Sequence, residues 1–302
     1  MTIRRVLCPV DFSEPSLRAL HHAAALAAWY DAELHVLHVA APPMPIAAPL
    51  MVGAARAVAA ADADELLAPA RRELEAFVTR AALPRTPVLV VQEGPAVAAI
   101  VRYAGAITAD LVVVGSHGRE GLSHVLFGST AERVLHKAPC PVLVVPAHAD
   151  EPSALDRVAI RHVLCAVDFS PSSARALSLA LSLAQENAAR LTVLHVIESL
   201  SEDELDAHPT LGVREHVDRM LRQARTRLLA AVPREARAWC SVTEVVRFGR
   251  AAHGILAEAE ARDADLIVMG AQGHGGLGLL ILGSATHTVV RRAVCPVLTA
   301  RP

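Results

Sequence analysis

The fold is decided by residues 111–130, LVVVGSHGREGLSHVLFGST, together with their repeat at residues 266–285, LIVMGAQGHGGLGLLILGSA. Each copy opens with an apolar, β-branched run that ends on glycine. Two residues, a second glycine, nine residues and a Gly-Ser pair follow, with the same spacing in both copies. Such a pattern predicts a buried strand that connects to a helix through a glycine-rich loop.

Four positions are fixed in each copy of this motif. They are Gly115, Gly118, Gly128 and Ser129 in the first copy, and Gly270, Gly273, Gly283 and Ser284 in the second. Backbone N–H groups of a glycine-rich loop converge on an anion, and the N-terminus of the following helix adds partial positive charge. The loop also follows the carboxyl end of a strand, where open α/β sheets bind ligands. The motif therefore predicts a phosphate site in each half of the chain.

The rest of the chain is duplicated as well. RRVLCPVDFSEPSLRAL, from Arg4, matches RHVLCAVDFSPSSARAL, from Arg161, and CPVLVV, from Cys140, matches CPVLTA, from Cys295. A polar, proline-containing stretch separates the two copies. We therefore expect one domain at residues 1–147, a linker at 148–159 and a second domain at 160–302.

Strands and helices alternate along each half. In the first half we expect strands at residues 4–10, 33–39, 87–92, 110–114 and 141–145, with helices between them. Ser13, Glu14 and Pro15 are typical of a helix start, which predicts a helix from Ser13 to about Tyr30. Because the strands are apolar throughout, they indicate a parallel sheet that is covered on both faces, hence an α/β fold class.

Composition excludes several classes of protein. The 302 residues carry a net charge of −2, which gives no footprint for nucleic acid or an anionic membrane. Asp11 interrupts the N-terminal apolar run too early for a signal peptide, and no apolar run reaches the ~18 residues of a membrane span. Five cysteines favour reduced thiols and a cytoplasmic location, with Cys140 and Cys295 as candidates for reactive thiols.

The motif also has a purely structural interpretation. Ser129 and Glu132 form the S-x-x-E pattern of a capping box, in which the serine caps its own helix. Gly115 could likewise only end a strand. Ser284 has His287 three residues on instead of an acid, so the second copy lacks the box. A phosphate site and a capping box are both open at Ser129.

Two other nucleotide motifs do not apply. A Walker A loop needs a lysine before its serine or threonine, and the single lysine of the chain, Lys137, follows His136. Residues 273–278, GHGGLG, match G-x-G-x-x-G, but no acidic residue follows at the spacing of a dinucleotide site. The histidines, in pairs such as His35 and His38, show no spacing that predicts a metal site, and we expect none.

The glycine motif, placed behind an N-terminal strand that ends in Asp-Phe-Ser, resembles that of the universal stress protein family over nearly the whole chain. The resemblance implies two tandem Rossmann-like (adenine nucleotide alpha hydrolase-like) domains, each with a five-stranded parallel sheet of order 3-2-1-4-5. In the ATP-binding branch of the family it implies one ATP per domain, with Mg²⁺ or Mn²⁺ near the phosphates.

Carried over position by position, the resemblance places Asp11 and Asp168 near the ribose and base, and Val39 and Val196 near adenine. The residues it assigns to the nucleotide are, in the first half, Pro9, Val10, Asp11, Val39, Gly115, Gly118, Arg119, Gly128, Ser129 and Thr130. In the second half they are Ala166, Val167, Asp168, Val196, Gly270, Gly273, His274, Gly283, Ser284 and Ala285. Because Ala285 replaces Thr130 and Ala166 replaces Pro9, we expect sites of unequal affinity.

These observations predict a nucleotide-dependent regulatory module of the stress response that binds ATP in both halves. A slow ATPase and a nucleotide-independent interaction protein are the alternatives, and no residue is assigned a catalytic role. The last strand of each half, PVLVV and PVLTA, should be a sheet edge, which tends to find a partner. The resemblance implies that these strands pair across the two domains, or across the subunits of a homodimer. It leaves a regulatory protein partner unidentified.

Overall fold

The structure, a computed structural model, describes residues 2–41, 63–116, 127–149, 160–198, 211–273 and 282–301. Both halves alternate strands with helices, as the sequence predicts. The first half consists of β1 (Arg5–Val10), α1 (Glu14–Tyr30), β2 (Glu33–Ala40), α2 (Ala63–Ala81), β3 (Val88–Glu93), α3 (Ala96–Ala106), β4 (Leu111–Gly115), α4 (Ser129–Lys137) and β5 (Val142–Val145).

The second half repeats this order and adds one short helix. Its elements are β6 (His162–Ala166), α5 (Pro171–Asn187), β7 (Arg190–Ile197), α6 (Leu211–Ala231), α7 (Ala236–Trp239), β8 (Val242–Phe248), α8 (Ala251–Ala261), β9 (Leu266–Gly270), α9 (Ser284–Arg292) and β10 (Val297–Ala300).

All ten of these strands form one sheet, in the order β3-β2-β1-β4-β5-β10-β9-β6-β7-β8. Within each half the neighbouring strands are parallel and follow the predicted order 3-2-1-4-5. At the centre β5 and β10 are antiparallel, and Leu143 lies opposite Leu298. The last strands therefore pair with each other inside the chain. Since this junction is antiparallel, the strands of the two halves run in opposite directions, and their carboxyl ends lie on opposite sides of the sheet along the strand axis.

Helices cover both faces of the sheet because successive side chains of its strands alternate between two apolar layers. On one face Val6, Cys8 and Val36 pack with residues of α1, α2, α5 and α6. On the other face Leu7 and Leu37 pack with residues of α3, α4, α8 and α9. The inner strands are buried on both sides, which accounts for their continuous apolar sequences, whereas the outermost strands β3 and β8 are partly exposed.

The helix that follows the first strand of each half begins in the same way. Ser13 lies in an extended conformation before α1, and its side chain accepts a hydrogen bond from the backbone N–H of Ser16. Ser170 does the same for α5 with the N–H of Ser173. The helix start predicted at Ser13 is confirmed, and an identical cap begins α5.

Side chains also join the two halves. The Tyr30 hydroxyl donates to the Glu186 carboxylate between the ends of α1 and α5. The guanidinium of Arg301 donates to the carbonyl oxygen of Leu135 at 3.1 Å. Glu132 of α4 and His287 of α9 are equivalent positions of the repeat, and Oε1 of Glu132 lies 3.3 Å from Nε2 of His287. The halves thus share a sheet and polar contacts between their helices.

Most of the linker predicted at residues 148–159 lies outside the described residues. At its start Ala149 is buried and donates its N–H to the carbonyl oxygen of Pro146. The proposed domain boundaries stay a prediction. Among the described residues, no helix is long and apolar enough to cross a membrane.

Candidate functional site

A tight turn follows the first strand of each half and positions an aspartate. Phe12 and Phe169 have φ angles of 67° and 66°, in the left-handed region that bulky residues rarely adopt. The turn is held by the preceding carboxylate, since Oδ1 of Asp168 accepts a hydrogen bond from the N–H of Ser170 at 3.0 Å. Asp11 accepts from the N–H of Ser13 at 3.1 Å in the same way. This local bonding is typical of an Asx turn and fixes each aspartate at the end of its strand.

The phenylalanines of these turns pack on a histidine from the neighbouring strand. Phe12 stacks on His38 with ring centroids 4.2 Å apart, and Phe169 lies 4.6 Å from His195. Nδ1 of His195 donates to the carbonyl oxygen of Val167 at 2.8 Å. Burial lowers the pKa of His195, which favours the neutral ring. Sequence analysis missed this support, although the Asp-Phe-Ser and His-Val pairs recur in both halves.

In the second half, the glycine loop touches this aspartate. A Cβ atom added to Gly273 would lie 2.7 Å from Oδ2 of Asp168, closer than real Cβ contacts come. A Cβ added to Gly283 would lie 3.5 Å from the backbone nitrogen of Gly273. The structure therefore brings Asp168, Gly273 and Gly283 together in one place. Asp168 lies more than 100 residues before the two glycines in the sequence, and the glycine at 273 leaves room for its carboxylate.

Gly270 has a separate structural reason to be glycine. Its added Cβ would lie 2.8 Å from the Cβ of Ser172 and 2.9 Å from the backbone nitrogen of Ser173. Helix α5 therefore packs directly on the last residue of β9. The role of Gly270 in a phosphate cradle stays a prediction, as does that of Gly115, which ends β4 at the equivalent position.

The helices that follow the glycine loops begin at the predicted Gly-Ser pairs. Gly128 and Gly283 are the N-cap residues, and neither helix has a side-chain cap bond. Ser129 is thus the first helical residue, so the capping-box interpretation is wrong. The N–H of Gly128 donates to the carbonyl oxygen of Ser116 at 2.8 Å, and that of Gly283 donates to Ala271 at 3.0 Å.

The N–H groups of the next three residues have no partner within an α-helix and carry its partial positive charge. Ser129 and Ser284 are exposed at these helix ends, as is Thr130. Ala285, its counterpart in α9, is half-buried and offers no hydroxyl. Each helix start can therefore receive an anion, and the first start has one additional hydroxyl donor.

The other predicted residues surround this place or fall outside the described chain. Pro9 and Val10 end β1, Ala166 ends β6, and Val167 leads into the second aspartate turn. Val39 and Val196 are half-buried near the ends of β2 and β7. Three predicted residues lie outside the described residues: Gly118, Arg119 and His274.

Thiol chemistry is not supported at this site. All five cysteines are buried and free. Burial is the main cause that raises the pKa of Cys140 to about 12 and that of Cys295 to about 11. A thiol with such a pKa is a poor nucleophile at neutral pH. The expectation of reactive thiols at Cys140 and Cys295 is therefore wrong. Within the described residues, no group of three His, Cys, Asp or Glu side chains could hold a metal ion.

Comparisons with family models, with known sequences and with solved structures all point to the same family. The model of the universal stress protein family matches residues 2–146 and 159–301. A universal stress protein of Mycolicibacterium smegmatis is 31% identical over 299 residues, which is 98% of this chain and 97% of that protein. A universal stress protein of Thermus aquaticus is 36% identical over 140 residues, 46% of this chain and 97% of its own length. The crystal structure of a universal stress protein from Archaeoglobus fulgidus superposes with a TM-score of 0.58 at 23% identity, covering 98% of this chain and 96% of that one.

Proposed function

Since the chain belongs to the universal stress protein family, we propose that it is a regulatory module that binds ATP in each of its two halves. The observation that carries the proposal is the convergence of Asp168, Gly273 and Gly283 beside the N-terminus of α9. A carboxylate next to an anion-binding helix start suits a ligand that carries hydroxyl groups a short distance from phosphates.

Each group of the site has a separate part in this proposal. The backbone N–H groups at the start of α9 and the hydroxyl of Ser284 would bind the phosphates. Oδ1 of Asp168 is held by the N–H of Ser170, and Oδ2 faces the loop, where it can accept from a ribose hydroxyl. Val196 lies near the end of β7, where the backbone would contact adenine. ATP would supply a strongly anionic phosphate chain, accompanied by Mg²⁺ or Mn²⁺.

The first half would bind ATP through the equivalent groups. Asp11 occupies the same Asx turn as Asp168, and Gly128 the same N-cap position as Gly283. Thr130 adds a hydroxyl that Ala285 lacks, so we propose that the first site binds ATP more tightly. The proposal includes a cytoplasmic location, supported by five buried free thiols, and an unidentified protein that recognises the nucleotide-loaded chain.

The proposal is tested by identifying the nucleotide that copurifies with the chain and then titrating ATP and GTP by calorimetry. Asp168→Ala removes the carboxylate of one site, and we expect the ATP affinity of that site to fall about tenfold, the value of one charge-assisted hydrogen bond. Asp31→Ala is the matched control, because Asp31 lies exposed at the end of α1. Absence of both copurified nucleotide and binding heat would overturn the proposal.

A further inference from the structure

A pocket of about 490 Å³, open to solvent on one side, lies in the second half, between the sheet and α6. We call it the α6 cavity. Its floor consists of Phe169, His195 and Ile197, and its wall includes Met220 and Ala224 of α6. This volume is in the range of about 300–1,000 Å³ that is typical of small-molecule sites.

The α6 cavity and the nucleotide site lie on opposite faces of the sheet. Val196 packs in the apolar layer of α8 and α9, and His195, the preceding strand residue, therefore points to the other face. Phe169 packs in that other layer, with α5 and α6. The turn at residues 168–169 thus directs Asp168 to the glycine loop and Phe169 to the α6 cavity, so the proposed nucleotide site and the α6 cavity lie on different sides of the same turn.

The lining of the α6 cavity combines an apolar interior with a cationic rim. Phe169, Ile197 and Met220 provide apolar surface. Arg222 and Arg227 lie at the rim as exposed side chains, and the guanidinium of Arg227 sits 3.9 Å from the centre of the Phe169 ring. None of the lining residues that the structure describes is acidic. The Asp168 carboxylate acts on His195 from outside this lining, and the two rim arginines outnumber it, so the charge of the described part of the α6 cavity favours an anion.

The first half is built differently at the corresponding turn. There the ring of Phe77, a buried side chain of α2, lies 5.4 Å from Phe12, and Arg80 lies over Phe77 instead. The charge of the two helices also differs. Helix α2 contains three arginines and four acidic residues, whereas α6 contains five arginines and two acidic residues. The helix beside the α6 cavity is thus basic, whereas its counterpart in the first half is not.

We propose that the α6 cavity binds a small organic acid, a compound with one carboxylate on an apolar ring or chain. The apolar part would contact Phe169, Ile197 and Met220, and the carboxylate would pair with Arg227 at the rim. Guanidinium groups present a planar fork of donors that matches a carboxylate, and Arg227 is already oriented by its contact with Phe169. Burial lowers the pKa of His195 and so favours its uncharged form.

The test uses the full chain and two probes of nearly equal shape, 2-naphthoate and the uncharged 2-naphthylmethanol. Binding is measured by calorimetry and by saturation-transfer NMR. We expect 2-naphthoate to bind more tightly than the alcohol. Arg227→Gln should weaken 2-naphthoate about tenfold and leave the alcohol unchanged. Met220→Trp should fill the cavity and abolish the binding of both probes.

Arg80→Gln is the matched control, since it removes an arginine next to an aromatic ring in the first half. It should leave the binding of 2-naphthoate unchanged, and ATP should not displace the probe. Equal affinity for the two probes, equal effects of Arg227→Gln and Arg80→Gln, or competition with ATP would overturn the proposal. Thermal melting checks that each variant is folded, and Arg222→Gln repeats the charge test at the second rim arginine. Because the ATP titration is separate, failure here leaves the proposed nucleotide sites intact.

Discussion

At the scale of single residues, the glycines of the repeated motif have different physical roles. Gly270 makes room for α5, and Gly273 makes room for the carboxylate of Asp168. Gly283 is an N-cap with a φ of −62°, a conformation open to any residue. A Cβ at 283 would also meet only ordinary contacts, the nearest being the nitrogen of Gly273 at 3.5 Å, so neither the backbone nor the packing of the chain requires a glycine there. This difference is the basis for separating packing from binding by mutation.

Gly270→Ala should destabilise the fold by about 1–3 kcal/mol, because the added methyl overlaps the backbone of α5. Urea unfolding followed by circular dichroism measures the change. Gly105→Ala in α3 is the control, since a Cβ there meets nothing within 4 Å. It should stabilise the chain by about 0.5–1 kcal/mol through helix propensity. Equal effects of the two substitutions would contradict this assignment.

Glu258 predicts a dependence of stability on pH. Its side chain is 2% exposed and bonds Arg247 and Arg262. Burial raises the pKa of Glu258, but its hydrogen bonds to Arg262 and Arg247 lower the pKa by more than burial raises it. The net shift of the pKa is therefore downward. A lowered pKa in the folded state means that this stabilisation is present above the unfolded pKa of about 4.5. It is lost as the pH falls through the lower pKa of the folded state.

Glu258→Gln should therefore lower the free energy of unfolding at pH 7 by about 1–3 kcal/mol and flatten its decline in acid. Urea unfolding at pH 7 and at several values below pH 4.5 provides the measurement. Glu260→Gln, at an exposed position of the same helix, should change neither quantity. An unchanged acid profile in Glu258→Gln would show that the paired carboxylate does not stabilise the fold.

At the scale of elements, sequence predicted the strands of the first half to within about one residue, because continuous apolar runs bounded by polar residues leave little choice. Residues 87–92 were expected where β3 occupies Val88–Glu93. The partner of the last strands was left open between the other domain and another subunit. The sequence of an apolar edge strand does not specify which other edge strand pairs with it. The structure shows that β5 pairs with β10 of the same chain, with Leu143 opposite Leu298. The packing of the Asp-Phe-Ser turn was missed for a similar reason, since Phe12 stacks on His38 of the neighbouring strand, 26 residues away.

The junction of β5 and β10 predicts an order of amide hydrogen exchange. The strand Val142–Val145 is fully buried in the centre of the sheet, whereas Val88–Glu93 lies at its edge and is partly exposed. Central amides should exchange only when the whole chain unfolds, and edge amides earlier, through local opening. Mass spectrometry of deuterated peptides would resolve the two. Equal exchange in β5 and β3 would mean that the halves separate at their junction.

At the scale of the whole molecule, the two proposed nucleotide sites lie at the carboxyl ends of strands that run in opposite directions in one continuous sheet. The antiparallel pairing of β5 and β10 places them there, and the contact between Glu132 and His287 joins the helices that start at the two sites. A half-exposed polar contact of this kind contributes at most about 1 kcal/mol. We therefore expect the two sites to bind nucleotide largely independently, with affinities that differ because Thr130 has no hydroxyl counterpart at Ala285.

The most direct test is to count the ATP molecules bound per chain by equilibrium dialysis. Gly283→Ala adds a methyl that fits without overlap but faces the nitrogen of Gly273, and Gly128→Ala makes the equivalent change at α4. The account predicts two ATP per chain in the unmodified protein, one in each single variant, none in the double variant, and two in Gly105→Ala. Two ATP retained in Gly283→Ala, or none in the unmodified chain, would contradict it.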